Sequence, residues 1–146
     1  SRIVAILAAT LGVAGCSDES GPKLYPVSGE VKIDGKPLDS GSISFIPSAS
    51  GPAAFGSIDE GTFTLDRDRG PGEGTYKVEI VSVKSTGKQV ASPDDPGAMI
   101  EETRNIIPAR YNAKSQLTVQ VKSAGDNAFQ FEISSAEPKP RQRRKR

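Results

Sequence analysis

Between Val27 and Ile133 apolar residues recur at every second position, and that period decides what this chain can fold into. Successive side chains of a strand point to opposite faces, so a run of this kind fits a strand with one face covered and the other wet. Val27, Val31 and Ile33 alternate with Ser28, Glu30 and Lys32 in a first strand. Asp34-Gly35 follows, a dipeptide suited to a tight turn because both positions tolerate positive φ. A second strand runs near 42–47, with Ile43 and Phe45 on one face, and a third from Ala53 to Ile58. After Asp59-Glu60-Gly61, Phe63 and Leu65 alternate with threonines in a fourth. Tyr76, Val78 and Ile80 mark a fifth, from Thr75 to about Lys84. Leu117, Val119 and Val121, then Phe129, Phe131 and Ile133, define two more, read together as a closing hairpin. No stretch of ordinary helix length shows a 3.6-residue period. Short strands with frequent turns predict an all-β, seven-stranded antiparallel β-sandwich. All the apolar residues named in these seven strands, apart from Ala53 and Ile58, are expected to point inward.

Two places break the rhythm. After Ile80 the apolar positions shift phase to Val81 and Val83, the pattern of a bulge or of a fully covered stretch. Residues 85–107 carry Ser92-Pro93-Asp94-Asp95-Pro96-Gly97 and are expected to be a long loop, mobile or functional, with a helical turn over Met99–Thr103.

Ahead of the alternating region lies a different kind of sequence. Arg2 precedes the apolar run Ile3-Val4-Ala5-Ile6-Leu7-Ala8-Ala9-Thr10-Leu11, which closes on Val13-Ala14-Gly15-Cys16. A basic residue, an apolar run and small residues before a cleavage point form the layout of a secretory signal, and the run is shorter than a membrane span requires. Its ending resembles the lipobox of bacterial lipoproteins. That resemblance implies cleavage before Cys16, acylation of Cys16 (palmitate among the chains) and an envelope protein held to a membrane by its first residue. Ser17 stands where an Asp retains some lipoproteins at the inner membrane, which favours the outer one. Cys16 is the only cysteine, so it cannot form an internal disulfide, and lipidation accounts for it.

The domain reading is therefore a signal peptide over 1–15, a linker over 16–23, a β-sandwich over 24–134 and a basic tail over 135–146. The net charge of +1 conceals an asymmetry: residues 17–140 hold 18 acids and 13 bases, a balance of −5, whereas 141–146 carry +5. An acidic body with a basic end does not suit nucleic-acid binding, which spreads positive charge over a folded face. Chains without histidine lack the Ser-His-Asp triad and the usual catalytic zinc ligands.

Val27-Ser28-Gly29-Glu30-Val31, then Asp34-Gly35-Lys36-Pro37-Leu38, then Gly41 to Phe45 together resemble the opening of a carboxypeptidase regulatory-like domain. Asp59-Glu60-Gly61-Thr62-Phe63-Thr64-Leu65 is similar to its later turn and strand, with Glu60 inserted, and Gly72-Glu73-Gly74-Thr75-Tyr76-Lys77-Val78 to the strand after that. The likeness covers about residues 25–84, and 108–133 is similar to the closing strands of small lipoproteins that carry this domain. It implies a transthyretin-like or Ig-like sandwich with no chemistry of its own.

Tyr25, Tyr76 and Tyr111 are candidates for a sugar-stacking face, although Tyr76 shares the inward register of Val78. Asp59 and Glu60, Asp66 and Asp68, and Asp94 and Asp95 are paired carboxylates of the type that binds Ca²⁺ or serves a hydrolase, but they read better as solvated turns. Lys32, Asn127 and Glu79 are the residue types of a self-made isopeptide crosslink, as in adhesin modules. Lys32 and Glu79 fall on the outward register and Asn127 in a turn, which argues against it. The tail Arg141-Gln142-Arg143-Arg144-Lys145-Arg146 suits acidic polymers or anionic headgroups, but it reads better as a solvated, disordered terminus. The expectation is a non-catalytic envelope lipoprotein with no cofactor and no metal, serving a binding or structural role. Its partners would be a membrane through Cys16 and an envelope protein or polysaccharide, with no nucleic acid.

Overall fold

A computed structural model describes residues 21–137, so the signal segment, Cys16 and the tail from 138 onward lie outside the described residues. The strands are β1 (Val27–Ile33), β2 (Lys36–Pro37), β3 (Ser40–Pro47), β4 (Ala54–Asp59), β5 (Thr62–Leu65), β6 (Gly74–Val81), β7 (Val83–Ala91), β8 (Met99–Asn105), β9 (Thr118–Val121) and β10 (Ala128–Ile133). Seven of them form one continuous path in the order β10-β1-β5-β4-β3-β6-β9, with β2 beside β1, and these seven are the strands expected from the alternation. The fold is all-β.

Every step of the path is antiparallel except one. β10 lies parallel to β1, with Ser28 opposite Ala128 and Ile33 opposite Ile133. The expected closing hairpin is therefore not formed: β9 pairs with β6, β10 pairs with β1, and the two strands occupy opposite ends of the path. Alternation identifies a strand and its buried face, but it says nothing about which strand lies alongside.

The path curls until β10 faces β3. Phe45 on β3 and Phe129 on β10 are four strands apart, which in a flat sheet is roughly 19 Å. Their ring centroids are 6.4 Å apart. The bend falls at β4–β5, which share a single backbone pair, Asp59 with Thr62, beside the turn Glu60–Gly61. Beyond that pair the two strands diverge, and the result is a packing of the β-sandwich type, with apolar residues of β10, β1 and β5 facing those of β4, β3 and β6. Phe63 stacks at 6.0 Å from Phe45 and 6.1 Å from Phe131, tying the two halves.

Burial follows the alternation closely. Val27, Val31, Ile43, Phe45, Phe63, Leu65, Tyr76, Val78, Ile80, Val121, Phe131 and Ile133 are buried, and Ile33, Leu117, Val119 and Phe129 pack against them half-buried. Leu38, Ala54, Ile58 and Ile107 join this core without having been expected there. Burying side chains of this size contributes about 1.5–3 kcal/mol each before chain entropy is charged against it.

Both two-residue hairpin turns have their two residues at positive φ: Asp34 and Gly35 at 51° and 81°, Glu60 and Gly61 at 47° and 80°. That geometry matches the right-handed twist of the flanking strands. Glu60 thus fills a turn position.

Residues 85–107 are not a loop. β7 and β8 form a separate two-stranded antiparallel ribbon, and Met99–Thr103, expected as a helical turn, is strand. The phase shift after Ile80 is neither a bulge nor a covered stretch. It is the point where the chain leaves the main sheet.

Candidate functional site

Strand directions give the molecule two distinct poles. At one pole lie the start of β1 with Tyr25, the loop 122–127 and the loop 66–73. At the other lie the Asp34–Gly35 turn, the Glu60–Gly61 turn, the end of β6 and the end of β10. Because β1 and β10 are parallel neighbours, the chain comes in from residue 21 at the first pole and leaves past Ser134 at the second. β6 runs toward the second pole too, so the β7–β8 arm springs from there.

Ser82 and Asn105 build the root of the arm. Ser82 is fully buried; its hydroxyl donates to the Ser40 carbonyl at 2.6 Å. The backbone N–H groups of Ser82 and Ile107 both donate to Asn105 Oδ1, at 3.2 and 3.1 Å. One side chain amide thus satisfies two donors where the ladder changes direction, which an apolar residue could not do. At the base, Lys84 Nζ lies 2.6 Å from Asp39 Oδ2, and this hydrogen bond and its charge hold the Asp39 carboxyl below its ordinary pKa.

The arm is where apolar surface is left in water. Val83, Met99 and Ile100 are exposed by 55%, 61% and 43%; Phe55 on the outer face of β4 is the other large apolar residue of this kind among the described residues. Along the arm Ser85 donates to Glu101 and Thr86 Oγ1 donates to Glu102 Oε2 at 2.6 Å, holding one carboxylate on each face of the ribbon. β7 is irregular, with a register shift between Ser85 and Gln89 and Gly87 at φ 76°. β8 shows no such break. At the tip, Ser92 Oγ accepts from the N–H groups of Asp94 and Asp95, and Asp95 Oδ1 accepts from Gly97 N–H at 3.1 Å.

Those bonds explain one of the carboxylate pairs: Asp94 and Asp95 shape a turn. Asp59 and Glu60 are exposed at the β4–β5 turn, Asp66 precedes the 3-10 turn Arg67–Arg69 and Asp68 lies within it. Among the described residues no group of three His, Cys, Asp or Glu side chains is placed to hold a metal ion. None of their helices is long and apolar enough to cross a membrane.

The tyrosines do not share a face. Tyr76 is core, Tyr25 packs at the first pole with its N–H on the Pro71 carbonyl, and Tyr111 sits at the second. Tyr111 accepts from Ser134 N–H at 3.2 Å; that bond, with Arg110 over the ring at 4.8 Å, holds its phenol below the ordinary value. Nor are Lys32, Asn127 and Glu79 brought together. Asn127 stands beside Ser28 at the first pole, with its side chain amide bonded to both backbone groups of Lys122. Lys32 lies near the far end of β1 opposite Pro37 and Glu132, and Glu79 pairs with Lys77 at 2.7 Å. Asn127 is a buried structural clamp rather than an open turn residue.

The exit of the chain is held as well. Ser135 donates from its N–H and its hydroxyl to the two oxygens of Asp34, at 2.9 and 2.6 Å, which keeps that carboxyl below its ordinary pKa. Arg110 donates to the carbonyls of Ser134 and Ala136.

Sequence reasoning missed Ser82, Asn105 and the arm they root. The signal was present in the phase change at Val81 and in β-branched and polar residues on both sides of Ser92–Gly97, which read as well for a hairpin as for a loop.

No family model matches the chain, and no curated protein does. Among solved structures it is similar to a 9R-lipoxygenase from Cyanothece PCC8801, at a TM-score of 0.32 and 11% identity. That likeness covers 79% of this chain and 17% of the other.

Proposed function

We propose that this chain is a non-catalytic cell-envelope lipoprotein, anchored through acylated Cys16, whose folded part is a carboxypeptidase regulatory-like, transthyretin-like sandwich used for binding or for structure. The observation that carries this reading is the apolar run ending in Val13-Ala14-Gly15-Cys16, with Cys16 as the single cysteine. Several acyl chains on one residue give stable attachment where one chain is marginal. The polar stretch from Ser17 to Lys23 separates that residue from Leu24, whose pairing with Gly72 begins the folded part. The family reading draws support from Gly29 and from the Asp34–Gly35 turn, motif positions whose backbones serve the close approach and the tight turn that the pattern requires. The location of the carboxylate pairs in turns, with Asp95 bonded to Gly97 N–H, supports a non-catalytic role. The outer membrane is the preferred location, on Ser17, and an envelope protein or polysaccharide the partner.

Cys16→Ser tests the anchor. Expressed in a bacterium with lipoprotein processing, the native chain is expected to partition with membranes and to carry acyl mass on Cys16. The variant is expected to remain a precursor or to become soluble, with its sandwich intact by circular dichroism. Equal membrane partitioning and equal mature mass for both, with lipid on neither, would overturn the reading.

A further inference from the structure

We propose that the outer edge of β8 is a strand-addition site for an extended, basic segment of a partner protein. Its placement at the membrane-distal pole rests on the anchoring reading; the binding itself does not. The backbone supplies the first argument. Ile106 N–H donates to the Ser82 carbonyl and Ser92 N–H to the Ala98 carbonyl, so the even-numbered residues of this strand face β7. In an antiparallel ladder the alternate residues turn their N–H and C=O groups the other way. Met99, Glu101 and Thr103 therefore present backbone donors and acceptors along the outer edge. β7 offers no equivalent, because the break between Ser85 and Gln89 interrupts its edge, as bulges do where pairing must be prevented.

Side chains supply the second argument. Met99 and Ile100 are exposed apolar residues on opposite faces, Glu101 and Glu102 place one carboxylate on each face, and Asp94 and Asp95 lie at the tip. Ser85 and Thr86 orient the two glutamates without neutralising them. Within this strand Arg104 is the single base. The complement is an extended segment with lysine or arginine among apolar residues: main-chain bonds supply affinity and the charges supply register. A second copy of β8 fits poorly. Pairing about Glu101 or about the middle residue, Glu102, sets a carboxylate against its own copy, and like charges directly opposite are destabilising. Moving the axis to Thr103 sets Met99 against Ile107, whose N–H is already given to Asn105 Oδ1 and whose side chain is core.

The probe is a capped peptide of alternating lysine and valine, added to the full chain and followed by backbone amide exchange. Expected are saturable binding, exchange slowed roughly tenfold or more at Met99, Glu101 and Thr103, and loss of both with a peptide N-methylated at alternate residues. Reversing the charge with Glu101→Lys and Glu102→Lys is expected to shift preference to a glutamate–valine peptide. Binding that survives N-methylation, or protection elsewhere on the chain, would overturn the proposal. So would protection of β8 that rises with protein concentration alone, or that disappears on removal of residues 138–146, since the edge would then belong to a second copy or to the chain's own tail. Because no lipid enters the measurement, a failed anchor and a failed edge give separate results.

Discussion

Gly29 has no side chain because there is nowhere to put one. A Cβ at that position would overlap the Phe129 carbonyl oxygen and stand 2.8 Å from the Phe63 ring. The residue sits where β1, β5 and the parallel β10 close on one another, so its backbone conformation is ordinary and its lack of bulk is what matters. Gly29→Ala must push β10 away, and overpacking costs about 1–3 kcal/mol or more; a urea melt showing a loss under about 1 kcal/mol would contradict the parallel pair. Asp34 acts at the other end of the same strands. Its pKa is lowered by the bonds from Ser135, so the attachment of the exit segment is fully present above the unfolded value, about pH 4, and is lost as pH falls through the lower folded value. Amide exchange at Ser135, referenced to a neighbouring loop, is expected to accelerate below that range. Asp34→Asn should make it fast at neutral pH.

The β7–β8 arm is the element whose stability stands apart. No core residue lies between Ile80 and Ile107, so the arm draws nothing from the apolar interior and the interior draws nothing from it. An isolated two-stranded ribbon is marginal in water; this one is held by its root at Ser82 and Asn105 and by the Lys84–Asp39 pair. Replacing residues 84–104 by a two-residue turn joining Val83 to Asn105 is expected to leave cooperative unfolding, with a stability within about 1 kcal/mol of the full chain. A collapse of the sandwich would show that the arm is structural. Ser82→Ala removes only the hydroxyl on the Ser40 carbonyl, which leaves an unsatisfied buried acceptor at the root and is expected to cost about 1–3 kcal/mol in a urea melt.

Across the whole molecule, topology separates the side where the chain enters from the side that carries the arm. The parallel β1–β10 pair sends the incoming linker to one pole and the arm and exit segment to the other. With the native lipidated chain on vesicles, spin labels attached at Asp126 are expected to lie nearer the bilayer than labels at Asp94, as read from relaxation by a membrane-bound agent. Equal depths would mean that the sandwich lies on its side. The sequence by itself determined the seven strands of the main path, the inward face of six of them and the Asp34–Gly35 turn, because alternation and turn chemistry are local and each residue reports its own burial. It also sufficed for the expectation at Cys16, where a short contiguous pattern is all there is to read. Only the tertiary structure decided that two neighbours in the chain, the strands around Val119 and Phe131, part company to opposite ends of the path. It alone showed that a polar, proline-containing stretch stands out as an arm, and that Asn127, written in a turn, is a buried clamp. The reason is physical: partner choice in a sheet depends on contacts between residues far apart in the chain, and a period of two is the same whichever neighbour completes the ladder.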